Sequence, residues 1–176
     1  DCVIVAIDGG LMSWAPEIRP WLCISGINRG PNLSVDVLHS GTVSAAREAS
    51  LYGLPSLSVS LATYSHQDYS QSIEATLALV ERLSELVTSE PSNILRPEGS
   101  STRPLEGTGK HSIRSWFMQG NMFLNLNIPE DWKGEFQTVP LGARWYHNAT
   151  DMIDRRSMGV AFEVGAARIV DEDIEM

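Results

Sequence analysis

The stretch that most constrains this chain runs from Trp21 to Leu61, where an apolar run, a glycine-bearing polar segment, a helix pattern and a second strand pattern follow in close succession. Trp21, Leu22, Cys23 and Ile24 carry no charge, the composition of a strand buried on both faces. Ser25 to Asn32 then supplies small residues and breakers, which read as a loop whose backbone approaches a ligand closely. Ser40 is in N-cap position for a helix over Val43–Tyr52, with Gly53 as its C′ residue and Pro55 blocking continuation. Ser56 to Leu61 alternates small polar with apolar residues, the pattern of a strand covered less heavily on one face and placed near a sheet edge. Strand, loop, helix and strand in that order make a βαβ crossover, so the fold class is α/β.

The remaining chain is consistent with a single domain over 1–176, carrying an irregular insertion at 90–110. Cys2 to Ile7 is too short for its period to decide between strand and helix, and Asp8-Gly9-Gly10 punctuates it. Ala15 to Pro20 reads as a turn, and Ala62 to Asp68 as a polar loop. Ser70 to Val87 has helical spacing, with Ile73, Leu77, Val80 and Val87 expected on the buried face. Ile113 to Phe117 reads as a short helical return. Met122 to Ile128 and Phe136 to Leu141 read as strands, with a turn at Asp131–Gly134 between them. No element is assigned to the tail from Phe162 onward.

A formal charge of −9 and a pI of about 4.8 argue against a nucleic-acid polymer or an anionic membrane as partner. No apolar run approaches the length of a membrane span. Two cysteines in apolar surroundings, Cys2 and Cys23, suit free thiols in a reducing, cytoplasmic compartment better than a disulfide framework.

Asn28 is the foremost chemical candidate: its side chain either stabilises its own turn or offers an amide oxygen to a hard divalent ion. Ser40, Gly41 and Thr42 bring hydroxyls and helix-start N–H groups to one point, as plain capping or as a phosphate cradle. Asp36, Asp8 and His39 are weaker candidates. No P-loop, GxGxxG, zinc-ligand spacing or GxSxG elbow is present. Trp116 and Trp132 read as hydrophobic anchors.

Ser25-Gly26-Ile27-Asn28-Arg29-Gly30-Pro31-Asn32-Leu33, the stretch His39 to Glu48, Gly53 to Leu61, and Phe123 to Pro129 together resemble the SurE family (survival protein E), over roughly residues 1–147. The resemblance implies a Rossmann-like three-layer core, and dimers or tetramers that exchange C-terminal elements between subunits. It further implies metal-dependent hydrolysis of nucleoside monophosphates or other small phosphoesters. By the same resemblance Asn28 would ligate Mg2+ or Mn2+, Ser40, Gly41 and Thr42 would hold phosphate, and Gly26, Gly30 and Asn32 would shape the loop. The family's paired Asp-Asp-Gly motif has no counterpart here, since only 24 residues precede Ser25. The expectation is therefore a phosphomonoester hydrolase built on part of the fold, lacking the N-terminal strands. Its alternative is a catalytically inactive remnant acting as an interaction protein.

Overall fold

The computed structural model describes residues 2–85, 113–147, 150–154, 161–164 and 168–172. The chain divides into two compact units: Asp1–Asn32 with Leu38–Phe136, and Leu33–Val37 with Gln137–Met176.

The first unit opens with a one-turn helix α1 (Cys2–Val5), a wide turn at Ala6–Gly10, and α2 (Leu11–Trp14). The ambiguous apolar run is thus a helical turn, and Asp8 and Gly9 leave helical geometry as the punctuator requires. Cys2 is exposed, so one of the two thiols expected to be buried is not. Strands β1 (Cys23–Arg29), β2 (Ser56–Leu61) and β3 (Leu124–Ile128) form a parallel sheet in the order β1-β2-β3. After a short α3 (Asp36–His39), α4 (Gly41–Leu51) makes the crossover between β1 and β2. Helices α5 (Ser70–Ser84) and α6 (Ile113–Met118) lie between β2 and β3 in sequence. This is a parallel sheet flanked by helices, an α/β Rossmann-like arrangement.

The ends of α4 follow their residues. Ser40 Oγ accepts from the Val43 N–H at 3.2 Å. At the other end Gly53 takes φ +89°, its N–H donates to Ser50 O and that of Leu54 to Ala49 O, the Schellman pattern.

The positions of the first two strands are the reverse of the sequence expectation. Among the described residues β1 is an edge strand whose exposure alternates, and Ile24 is 47% exposed. β2 is central and all six of its residues are buried. Its serines are small enough to sit beneath a closely packed layer, and each hydroxyl finds a partner. Ser56 Oγ donates to Ala46 O of α4 at 2.7 Å, Ser58 Oγ to Asn125 Oδ1 at 2.9 Å, and Ser60 Oγ accepts from Asn32 Nδ2 at 2.7 Å. The opposite face carries Leu57 and Val59, which pack with Ala75 and Leu83 of α5, Phe117 of α6 and Ile128 of β3. Alternation in β2 therefore marks two different covers rather than one open face.

Two further expectations shift. The segment Ser25–Arg29, read as loop, is strand: it pairs with β2 through Ser25↔Ser58 and Asn28↔Ser60, with a register shift between them. Gly26, at φ +132°, is required there because a Cβ would lie 2.4 Å from Val59 O. On α5 the buried residues are Ser72, Ala75, Thr76 and Leu83, whereas Ile73 and Leu77 are exposed. Period found the helix, but the small residues of its inner face are what allow close approach to the sheet. Val87 and the 90–110 insertion lie outside the described residues. Trp132 packs against Phe136, with ring centroids 5.5 Å apart, beside the core; Trp116 is 38% exposed and is the poorer anchor.

In the second unit β4 (Ala143–His147) pairs antiparallel with β7 (Arg168–Glu172), and β5 (Thr150–Asp154) with β6 (Ala161–Val164). The strand expected at Phe136–Leu141 is absent, and β4 begins two residues beyond it. Val139 and Leu141 are exposed, and Pro140 has no N–H for a ladder. β6 and β7 occupy the tail to which no element was assigned. Within this unit the Asp36 carboxylate accepts from the Leu33 N–H at 3.0 Å and from the Tyr146 hydroxyl, and pairs with Arg144 at 3.4 Å. The Arg144 N–H donates to Ser34 Oγ at 2.8 Å. Burial first, then the neighbouring Asp36, raises the pKa of the Tyr146 phenol.

Candidate functional site

Parallel strands deliver their following loops to one end of a sheet, the usual place for a ligand in an open α/β fold. Asn28 stands in β1 directly beside Ser60 of β2, which in turn stands beside Asn127 of β3. Residues paired laterally point to the same side, so these three polar side chains share a face. The next row down places Ser58 beside Asn125.

Asn28 is tied into its own loop: its Nδ2 donates to Gly30 O at 2.9 Å and to Arg29 O at 3.2 Å. Its Oδ1 faces the Thr42 hydroxyl at 3.5 Å, so the structure does bring together the two residues singled out from the sequence. Ser40 caps α4, and Gly41 is exposed with open space where a Cβ would be. Gly30 is buried at φ +93°, and a Cβ on it would lie 2.2 Å from the Tyr64 ring. Tyr64 is held there through its carbonyl, which accepts from Arg29 Nη2 at 3.2 Å.

Asn32 carries the most bonds. Its side chain reaches Ser60, its N–H donates to Asn127 Oδ1 at 2.8 Å, and its carbonyl accepts from Asn125 Nδ2 at 2.8 Å and Asn127 Nδ2 at 3.2 Å. Asn125, Asn127 and Ser60 were not named as site residues by sequence reasoning. The signal was available in the Asn-x-Asn alternation of β3, which puts two amides on one face.

The other candidates do not join this group. Asp36 is committed to Arg144 and Tyr146 within the second unit, and Asp8 is exposed in the turn between α1 and α2. His39 is exposed and ends the short α3. A divalent ion does not fit what is present. Such ions take about six oxygen ligands, with at least one or two carboxylates from the protein. Asn28 supplies one amide oxygen, and among the described residues no three His, Cys, Asp or Glu side chains gather where an ion could be held. The expectation of a metal-dependent phosphomonoester hydrolase is therefore overturned for this chain, in favour of its inactive alternative.

A second polar group lies in the loops after β2 and β3. The Glu130 carboxylate accepts from the Ser65 and Thr63 hydroxyls, and His66 Nε2 is 3.8 Å away. Those two hydroxyls, Ser65 first, hold the Glu130 carboxyl below its ordinary range. Among the described residues no helix is long and apolar enough to cross a membrane.

The family model for survival protein SurE matches residues 1–151. A 5'-nucleotidase SurE from Synechococcus sp. (strain JA-3-3Ab) is 34% identical over 177 residues, covering 99% of this chain and 55% of that protein. One from Desulfitobacterium hafniense is 54% identical over a shorter stretch of 69 residues, 39% of this chain and 26% of its own length. Among solved structures, the SurE protein from Aquifex aeolicus superposes with a TM-score of 0.53 at 20% identity, covering 98% of this chain and 55% of its own, a likeness of fold. The chain thus spans about half the length of the relatives it matches along nearly all of its own. With the matching loops, the helix start and the parallel crossover in place, the chain belongs to the SurE family.

Proposed function

We propose that these 176 residues act by binding and association rather than by hydrolysis, as a SurE-family unit that keeps the ligand-facing loops without a metal centre. The observation that carries this reading is the donor set at Asn28, a single amide oxygen with no gathering of acidic, histidine or cysteine side chains among the described residues. The ligand we propose is a small phosphoester, with nucleoside monophosphates first because the relatives are called 5'-nucleotidases. Ser40, Gly41 and Thr42 would receive its phosphate at the positive end of α4. Asn28 would orient Thr42, and Gly26, Gly30 and Asn32 would hold the loop. The SurE family is generally metal-dependent; we propose that this chain retains no resident Mg2+ or Mn2+.

For association we propose the outer edge of β1, which among the described residues pairs only on its β2 side. Unpaired N–H and C=O groups there, with Ile24 exposed beside them, suit an added strand from a second polypeptide. In this reading the additional strands of the family fold join at this edge, the C-terminal strands are exchanged between copies, and the protein works as a cytoplasmic homo-oligomer.

The deciding experiment measures phosphate release from nucleoside monophosphates by the folded chain, with Mg2+ or Mn2+ and with a chelator, beside Asn28→Ala and Thr42→Ala. The expected result is no release above the chelated control. Metal-stimulated release that both substitutions abolish would overturn the proposal.

A further inference from the structure

We infer that Asn125 and Asn127 of β3 are positioning residues, which pin Asn32 to the sheet and so fix where the Asn28 amide stands. The inference rests on the reading of Asn28 and the α4 start as the ligand end of the sheet, and adds to it the device that sets its geometry.

Asn127 uses both ends of its side-chain amide on one residue: Oδ1 accepts the Asn32 N–H and Nδ2 donates to the Asn32 carbonyl. This two-point pairing imitates the bonds a neighbouring strand would make with residue 32. Asn125 adds a second donor to the same carbonyl, and its own Oδ1 is held by the Ser58 hydroxyl, which fixes the amide's orientation. The Asn32 side chain meanwhile reaches the buried Ser60 hydroxyl. Backbone N–H, backbone C=O and side chain of Asn32 are therefore all committed to β2 and β3, and the residue is only 4% exposed.

Between this anchor and the end of β1 lie only Gly30 and Pro31. Proline fixes its own φ, and Gly30 is confined beneath the Tyr64 ring, so little slack remains. Asn28 Nδ2 donates to the carbonyls of Arg29 and Gly30, the two residues at the start of this short tether. Displacing Asn32 moves those carbonyls, and the Asn28 amide moves with them. None of the three β3-side groups has to touch a ligand to have this effect.

The test uses the full chain labelled with 15N. In the unsubstituted protein the Asn32 amide should exchange slowly with solvent; unprotected exchange would overturn the inference without any variant. In Asn127→Leu the Asn28 side-chain NH2 and the Gly30 amide resonances should move, while amides of α5 stay in place. In Asn127→Asp, which keeps the acceptor but loses the donor, the same resonances should move less. Unchanged Asn28 and Gly30 resonances in either folded variant would overturn the inference. Titration with inorganic phosphate supplies the second arm. Shifts at Thr42 and Val43 should need at least fivefold more phosphate in Asn127→Leu. If phosphate moves nothing in the unsubstituted chain, the ligand reading of the α4 start fails, while the Asn28 resonances still decide the clamp.

Discussion

The two faces of the central sheet are built from opposite materials. One carries Leu57, Val59, Leu126 and Ile128 against α5 and α6 and is held by apolar burial. The other carries Ser56, Ser58, Ser60, Asn28, Asn125 and Asn127, whose amides and hydroxyls bond to α4, to Asn32 and to one another. Apolar burial is non-directional, so it stabilises without dictating angles. Hydrogen bonds contribute less net free energy but fix geometry, and the cost of leaving a buried one unmade enforces them. The apolar face thus supplies most of the stability and the polar face the position of the Asn28–Asn32 segment.

Substitution separates the two roles. Leu57→Ala should cost about 3 kcal/mol in urea unfolding, through lost burial and the cavity left in the core. Ser56→Leu on the other face should cost about 2 kcal/mol, since the added volume must displace α4 at Ala46. Ser58→Ala should cost only about 1 kcal/mol, the worth of one hydrogen bond, because a methyl-sized side chain leaves no cavity. A Ser58→Ala loss equal to that of Leu57→Ala would break the comparison. Asn28→Ala should cost no more than about 1 kcal/mol in unfolding, since its side chain bonds only to neighbouring carbonyls and to Thr42, yet abolish the phosphate-induced shift at Thr42.

A smaller effect concerns the loops beyond both faces. The Ser65 and Thr63 hydroxyls depress the Glu130 carboxyl below its ordinary 4.5. A carboxyl depressed in the folded state favours folding above the unfolded value, and that contribution is lost as pH falls through the folded value. NMR titration should therefore find the Glu130 midpoint below the ordinary glutamate value of 4.5. The bonds to Ser65 and Thr63 should loosen only beneath that midpoint, and a Glu130 midpoint at or above 4.5 would contradict the assignment.

Legibility in the sequence followed the same division. The crossover, the Ser40 cap and the Gly53 stop could be read because each depends on residues close in the chain or on one period. What could not be read was which strand is central. An apolar run such as Trp21–Ile24 signals hydrophobicity but not the number of covered faces, and β1 is covered less than its composition suggests. Ser56, Ser58 and Ser60 look like surface residues until their partners arrive from Ala46, Asn32 and Asn125, the last 67 positions from Ser58. The α5 face was misjudged for a related reason: small residues, not the largest apolar ones, face the sheet.

The Asp36 pairing has a consequence for synthesis. Asp36 leaves the ribosome 108 residues before Arg144 and 110 before Tyr146. At about 5–20 residues per second, roughly 5–20 s pass before its partners exist. Both α4 and β2 follow Asp36 within 25 residues and emerge early in that interval, while the stretch Leu33–Val37 still waits for its partners. A nascent chain stalled before Arg144 would carry Asp36 bonded to the Leu33 N–H but without the two side chains that complete its pairing, which makes the order of translation part of how the second unit is assembled.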